Sequence, residues 1–151
     1  MYLDKITLFN FYRSSLGDMW YPHVIKNVNL VIDKAAIVAK YGLESKDNAI
    51  LNIRYYKENE QIEIAKRPYL PPLEWERQTN DKLADSITFK AGNEFDFFVL
   101  GEHPEFSESI PIMDDDYDGL FNYMKENYDY VFAITSVAKY DVIPHFEITG
   151  K

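Results

Sequence analysis

The sequence predicts a mainly β fold, a small β-barrel or sandwich with one main α-helix near residues 115–129. Runs of β-branched and aromatic residues recur along the chain, as strands require. One of them, Ala49 to Tyr56, alternates in polarity with the period of two that puts successive side chains on opposite faces. A single stretch, from about Asp115 to Tyr128, instead spaces its apolar residues at helical intervals.

Taken in order, ITLFNFY over Ile6 to Tyr12 reads as the first strand, and Ser14 to Asp18 as the turn after it. Trp20 to Ile32 follows as a long strand, with a reversal at Asp33-Lys34-Ala35 into a second strand over Ala36 to Tyr41, closed by Gly42. In Ala49 to Tyr56, Ile50, Asn52, Arg54 and Tyr56 form the wetter face against Leu51, Ile53 and Tyr55. Residues 57–86 are harder to read, because Pro68, Pro71 and Pro72 forbid a continuous helix or central strand. A short helix near Leu73 to Gln78 is the most they allow. SITFK and FDFFVL, separated by Ala91-Gly92-Asn93-Glu94, read as a second hairpin. In the helical stretch Tyr117, Leu120, Phe121, Met124 and Tyr128 share one face, with acids at the N-terminal end, where the helix dipole favours them and Asp115 or Asp116 is the expected cap. Tyr130 to Ala138 and His145 to Thr149 complete the set as strands joined by the turn Lys139 to Pro144.

With 151 residues, no low-complexity tract and no repeat, the chain reads as one domain, 1–151. A chain of this length removes roughly 68–70% of its unfolded surface from water, enough for a core without staples. Its 46% hydrophobic and 16% aromatic content agrees. The absence of cysteine excludes disulfides and thiolate chemistry. No apolar run approaches the roughly 18 residues of a membrane span, and Met1 to Phe11 lacks the pattern of a signal peptide, so a soluble intracellular protein is expected. The net charge of −9 argues against a domain built to neutralise phosphate. That charge is uneven: residues 91–130 hold 11 acids and one base, Lys125, for −10.

Within that stretch Asp114, Asp115, Asp116 and Asp118 with Gly119 imitate the start of a calcium loop, but the twelfth position, where a bidentate Glu belongs, is Lys125. No metal is assigned, and four crowded carboxylates are expected to face water. Glu102-His103-Pro104-Glu105 and the pair His145 and Glu147 match no ligand spacing. No nucleophile elbow, P-loop or dinucleotide motif is present, so an enzyme is not expected, nor a cofactor. The 12 Tyr, 10 Phe and 2 Trp lack the basic groove of a base-stacking platform, the largest basic cluster being Lys66-Arg67. They read as core or subunit-contact residues, with Trp20, Trp75 and Phe146 as candidates.

The C-terminal segments Asn127 to Val137 and His145 to Lys151 resemble the closing pattern of small head-to-tail connector proteins of tailed phages and prophages of Gram-positive bacteria. That pattern is a helix, an aspartate-aromatic step, a strand ending in Ser-Val, a turn, then His, an aromatic and a terminal glycine. ITLFN, Gly42-Leu43 before AILNI, Pro72 to Trp75, and ITFKAGNEF with FFVLGE extend the likeness. The family usually has Trp at the place of Phe146 and a glycine-serine turn at the place of Tyr140 to Pro144. The resemblance implies a non-enzymatic neck or head-completion subunit, located in the virion and assembled in the bacterial host cytoplasm. Its partners would be itself in a ring, a hexamer or dodecamer, with portal or adaptor proteins above and tail proteins below. DNA would pass through the lumen without specific binding, and no membrane is involved. On that reading Asp114, Asp115, Asp116 and Asp118 are candidates for an acidic channel surface. A tail-terminator or other tail subunit is the alternative, and a metal-dependent binding module or small enzyme stands behind both.

Overall fold

The computed structural model describes residues 2–33 and 49–151. Its strands are β1 (Asp4–Ser14), β2 (Gly17–Ile32), β3 (Ala49–Arg54), β4 (Tyr56–Glu58), β5 (Gln61–Ile64), β6 (Arg67–Pro68), β7 (Phe97–Leu100), β8 (Ile112–Met113), β9 (Val131–Tyr140) and β10 (His145–Gly150). Its helices are α1 (Pro72–Glu76), α2 (Asn80–Leu83) and α3 (Leu120–Asn127), the last preceded by a 3-10 turn, Asp114–Tyr117. Six strands close into an antiparallel barrel in the order β1-β7-β9-β10-β3-β2, with β2 returning to β1 and β8 as an appendage on β2. The mainly β class is therefore the one the alternating and aromatic runs predict.

Two bent strands make the closure possible. β2 pairs with β1 up to Val28 and then with β3 over Asn29–Ile32, and the corner is a bulge at Asn27, whose φ is 57°. β9 pairs with β7 over Val131–Ala133 and then with β10. Pro22 sits in β2 without losing a ladder bond to β1, because its parity is that of Val24, whose N–H turns away from β1 to the Glu108 carboxylate at 2.7 Å. Ile6, Leu8, Leu51, Ile53, Phe98, Phe146 and Ile148 pack in the barrel interior. A second cluster, with Phe9, Phe11, Trp20 and Phe97, is roofed by Leu120 and Met124 of α3. Trp75 of α1 and Leu83 of α2 pack on Tyr21 in a third.

Four expectations need correction or restriction. The helix is shorter than predicted, because Asp118 and Gly119, at φ of 51° and 101°, break it after the 3-10 turn. Its first N–H is met by Asp114, whose Oδ1 accepts from Leu120 N at 2.8 Å; neither Asp115 nor Asp116 caps it. The second hairpin does not form as a pair of strands: Ile87 donates to Pro68 O and accepts from Leu70 N, so the segment before the turn pairs with residues 68–70 rather than with β7. The predicted strand over 36–41, and Gly42-Leu43, lie outside the described residues.

Candidate functional site

The β9–β10 hairpin carries the most exposed large apolar side chain among the described residues. At its tip Val142 is 98% exposed and Ile143 74%, against a base that is held on three sides. The Tyr55 hydroxyl donates to the Asp141 carboxylate, Lys139 Nζ donates to the same oxygen at 2.9 Å, and the Tyr140 ring stacks on His145 at 4.9 Å. Those bonds to the Asp141 carboxylate hold it below the usual range. The result is a pinned turn that presents two apolar side chains to solvent. The β1–β2 hairpin presents a third, Leu16, at 84% exposure.

The acidic run divides in two. Asp114 is partly buried, and besides Leu120 N it accepts from Trp20 Nε1 at 2.9 Å, so it is a structural acceptor rather than a surface charge. Asp115, Asp116 and Asp118 are exposed on the turn that Asp114 holds in place. Trp20, Trp75 and Phe146 are all buried, which places the three candidate aromatics in the core of the chain. Glu102, His103 and Glu105 share a loop: His103 Nδ1 lies 3.7 Å from Glu105, its Nε2 meets Leu100 O, and its ring meets Tyr128 edge-on. His145 turns its Nδ1 to Ile143 O at 2.6 Å.

Three features carry no signature in the sequence. Buried Asp96 accepts from Asn10 Nδ2, Phe11 N and Lys90 N at 2.8 to 2.9 Å, tying the 90–96 loop to β1. Burial pushes its carboxyl up to about 7, against the pull of Lys90 and these donors. Buried His23 lies with Nδ1 2.6 Å from the Arg67 guanidinium, which in turn meets Glu108 at 3.2 Å. Burial, reinforced by the Arg67 charge, brings its pKa down to about 3, so the ring is neutral and accepts through Nδ1, while its Nε2 finds no acceptor. Finally, a groove of about 610 Å³ opens beside the β2 bulge and gathers Tyr2, Lys26, Arg54, Tyr56 and Lys66 from four separate parts of the chain. Only Lys66-Arg67 is visible as a basic pair in the sequence, and its two members go to different places.

A family model described as "Family of unknown function (DUF6751)" matches residues 1–151. No curated protein and no solved structure matches the chain.

Proposed function

The chain belongs to the DUF6751 family, and we propose for it a structural role in the neck of a tailed phage: a ring subunit between portal and tail around the DNA path. The observation that carries this reading is the β9–β10 hairpin. The C-terminal part of the likeness to the connector family, residues 127–137 and 145–151, forms the end of α3, most of β9 and all of β10. The hairpin ends in Val142 and Ile143, whose exposure is costly in an isolated monomer and favourable once a neighbouring subunit covers them. A barrel with no open edge between its six strands also suits a subunit that must stack and pack laterally without running on into sheet aggregates.

Deletion of the gene from a phage that carries it tests the reading. DNA-filled or leaking heads with separate tails are expected, and the protein supplied in trans restores joined particles. Normal infectious particles from the deletion overturn it. The serine pair V142S and I143S on the hairpin tip is expected to fold normally and to fail in the same rescue.

A further inference from the structure

We infer that the groove beside the β2 bulge is the docking site for the acidic turn of a second copy of this chain, so that copies join head to tail. The inference rests on the ring reading above and names its seam.

The groove is built for an anionic guest. Buried Ile25, Ile53 and Ile64 form its floor, and Lys26, Arg54 and Lys66 stand exposed at its rim against one carboxylate, Glu63. Three cations to one anion is a local reversal of sign in a chain of net charge −9. Among the described residues, none of the three cations takes part in an ion pair; all such pairs use other residues. Arg54 is oriented instead by the Tyr2 ring, which lies 3.9 Å beneath its guanidinium. Two left-handed segments set the rim: Asn27 beside Lys26, and the two-residue turn Ala65-Lys66, with φ of 52° and 65°. Such conformations cost free energy in residues with a Cβ and concentrate where a site needs a side chain aimed in one direction.

The complementary element is the turn carrying Asp115, Asp116 and Asp118, all exposed. Its shape is preset, because Gly119 N and Asp118 N bond back to the carbonyls of Asp114 and Asp115, and Asp114 anchors it to Trp20. Little conformational entropy remains to be lost on docking.

The two elements cannot meet within one chain. β8, which leads into the acidic turn, pairs with Met19 and Trp20, whereas Lys26 lies further along the same strand in the opposite direction from the turn. At about 3.3 Å per residue that is about 20 Å, beyond the roughly 8–10 Å over which salt leaves surface charges in contact. Opposite charges at two ends of one strand form a contact between different patches on two copies, the type that generates rings when the rotation closes. A phosphate backbone is the competing guest for the same cations, and the experiment separates the two.

Equal amounts of isotopically heavy and light protein are treated with a carbodiimide, which joins a lysine to a carboxylate only where they already touch. Heavy-to-light links from Lys26 or Lys66 to Asp115, Asp116 or Asp118 are expected, falling at least tenfold between low and high salt. The groove-reversed variant K26E/R54E/K66E and the turn-reversed variant D115K/D116K/D118K are each expected to lose links between these two elements. A mixture of the two variants restores them, which a misfolded variant could not do. The seam is overturned by an absence of such links in the wild type, by links that survive either reversal, or by failure of the mixture to restore them. Duplex DNA retained by the wild type and lost in the groove-reversed variant would likewise overturn it in favour of phosphate. Joined particles formed by both reversed variants would refute the seam and leave the neck reading standing, whereas normal particles from the gene deletion refute the neck reading itself.

Discussion

Asp114→Ala separates a structural carboxylate from the surface charges beside it. The substitution removes one acceptor that serves two donors: Leu120 N, the first amide of α3, at 2.8 Å, and Trp20 Nε1 at 2.9 Å. Hydrogen bonds to an ionised group contribute about 1.5–3 kcal/mol each, and the two share one oxygen and are not additive, so a loss of about 3 kcal/mol is expected. Trp20 itself is buried, and its indole N–H loses its carboxylate partner. Asp115→Ala and Asp116→Ala, on the same turn but without such partners, are expected to stay within about 0.5 kcal/mol of the parent. Urea unfolding followed by tryptophan fluorescence reads the difference, with the denaturant slope checked for constancy. Asp114→Asn, which keeps an oxygen at the Oδ1 position, is expected to recover more than half of the loss. Equal midpoints for Asp114→Ala and Asp115→Ala would refute the assignment of Asp114 as the anchor of the turn.

The buried titratable pair predicts opposite pH slopes. Asp96 has a folded pKa of about 7 against 3.8 in the open chain, so its contribution is present below about pH 4 and is lost as pH rises to 7. His23, at about 3 against 6.5, contributes fully above pH 6.5 and is lost as pH falls towards 3. Their slopes offset in the wild type. In Asp96→Asn the histidine acts alone, and stability is expected to fall between pH 7 and pH 4 by at most about 3 kcal/mol, at about 1.36 kcal/mol for each pH unit below 6.5, as read from urea unfolding at the two pH values. A flat profile in that variant would contradict the burial of a neutral His23. For Gly150→Ala, the added Cβ would lie 2.8 Å from Phe132 Cβ and 3.0 Å from Phe98 Cζ, so overpacking is expected to cost about 1–3 kcal/mol and to lower the thermal midpoint. Glu60→Gly works in the other direction: Asn59 and Glu60 hold φ of 51° and 68° in the two-residue β4–β5 turn, and relief of the Glu60 Cβ is expected to stabilise by about 1 kcal/mol.

Elements whose signal is local were legible in the sequence. The period-two run from Ala49 buries Leu51 and Ile53 and leaves Ile50 exposed, since a strand's alternation depends only on its own backbone. The helical spacing of Leu120 and Met124 likewise identifies the buried face of α3, although its start does not follow from spacing: Asp118 and Gly119 take positive φ, and Asp114 holds Leu120 N together with Trp20, 94 residues away in sequence. The short strands β4 to β6 carry no local signal in the sequence, because their turns place Glu60, Ala65 and Lys66 in left-handed conformations that Gly, Asn or Asp ordinarily mark. The segment before Gly92 looked like half of a hairpin because propensity cannot tell which partner a strand will take. The carbonyl of Pro68 and the amide of Leu70 took Ile87, and buried Asp96 took the amide of Lys90.

The site divides along the same line. The sequence by itself determined that charge is concentrated in residues 91–130, that the chain carries no cysteine and that the fold is mainly β, a barrel or a sandwich. Only the tertiary structure decided which acids are surface and which are scaffold, that Trp20, Trp75 and Phe146 are core, and that Lys26, Arg54 and Lys66 share one groove. The reason is physical: polarity and alternation are properties of neighbours along the chain, whereas closure of the barrel brings β2, β3 and the β5–β6 turn together across separations that no local pattern encodes.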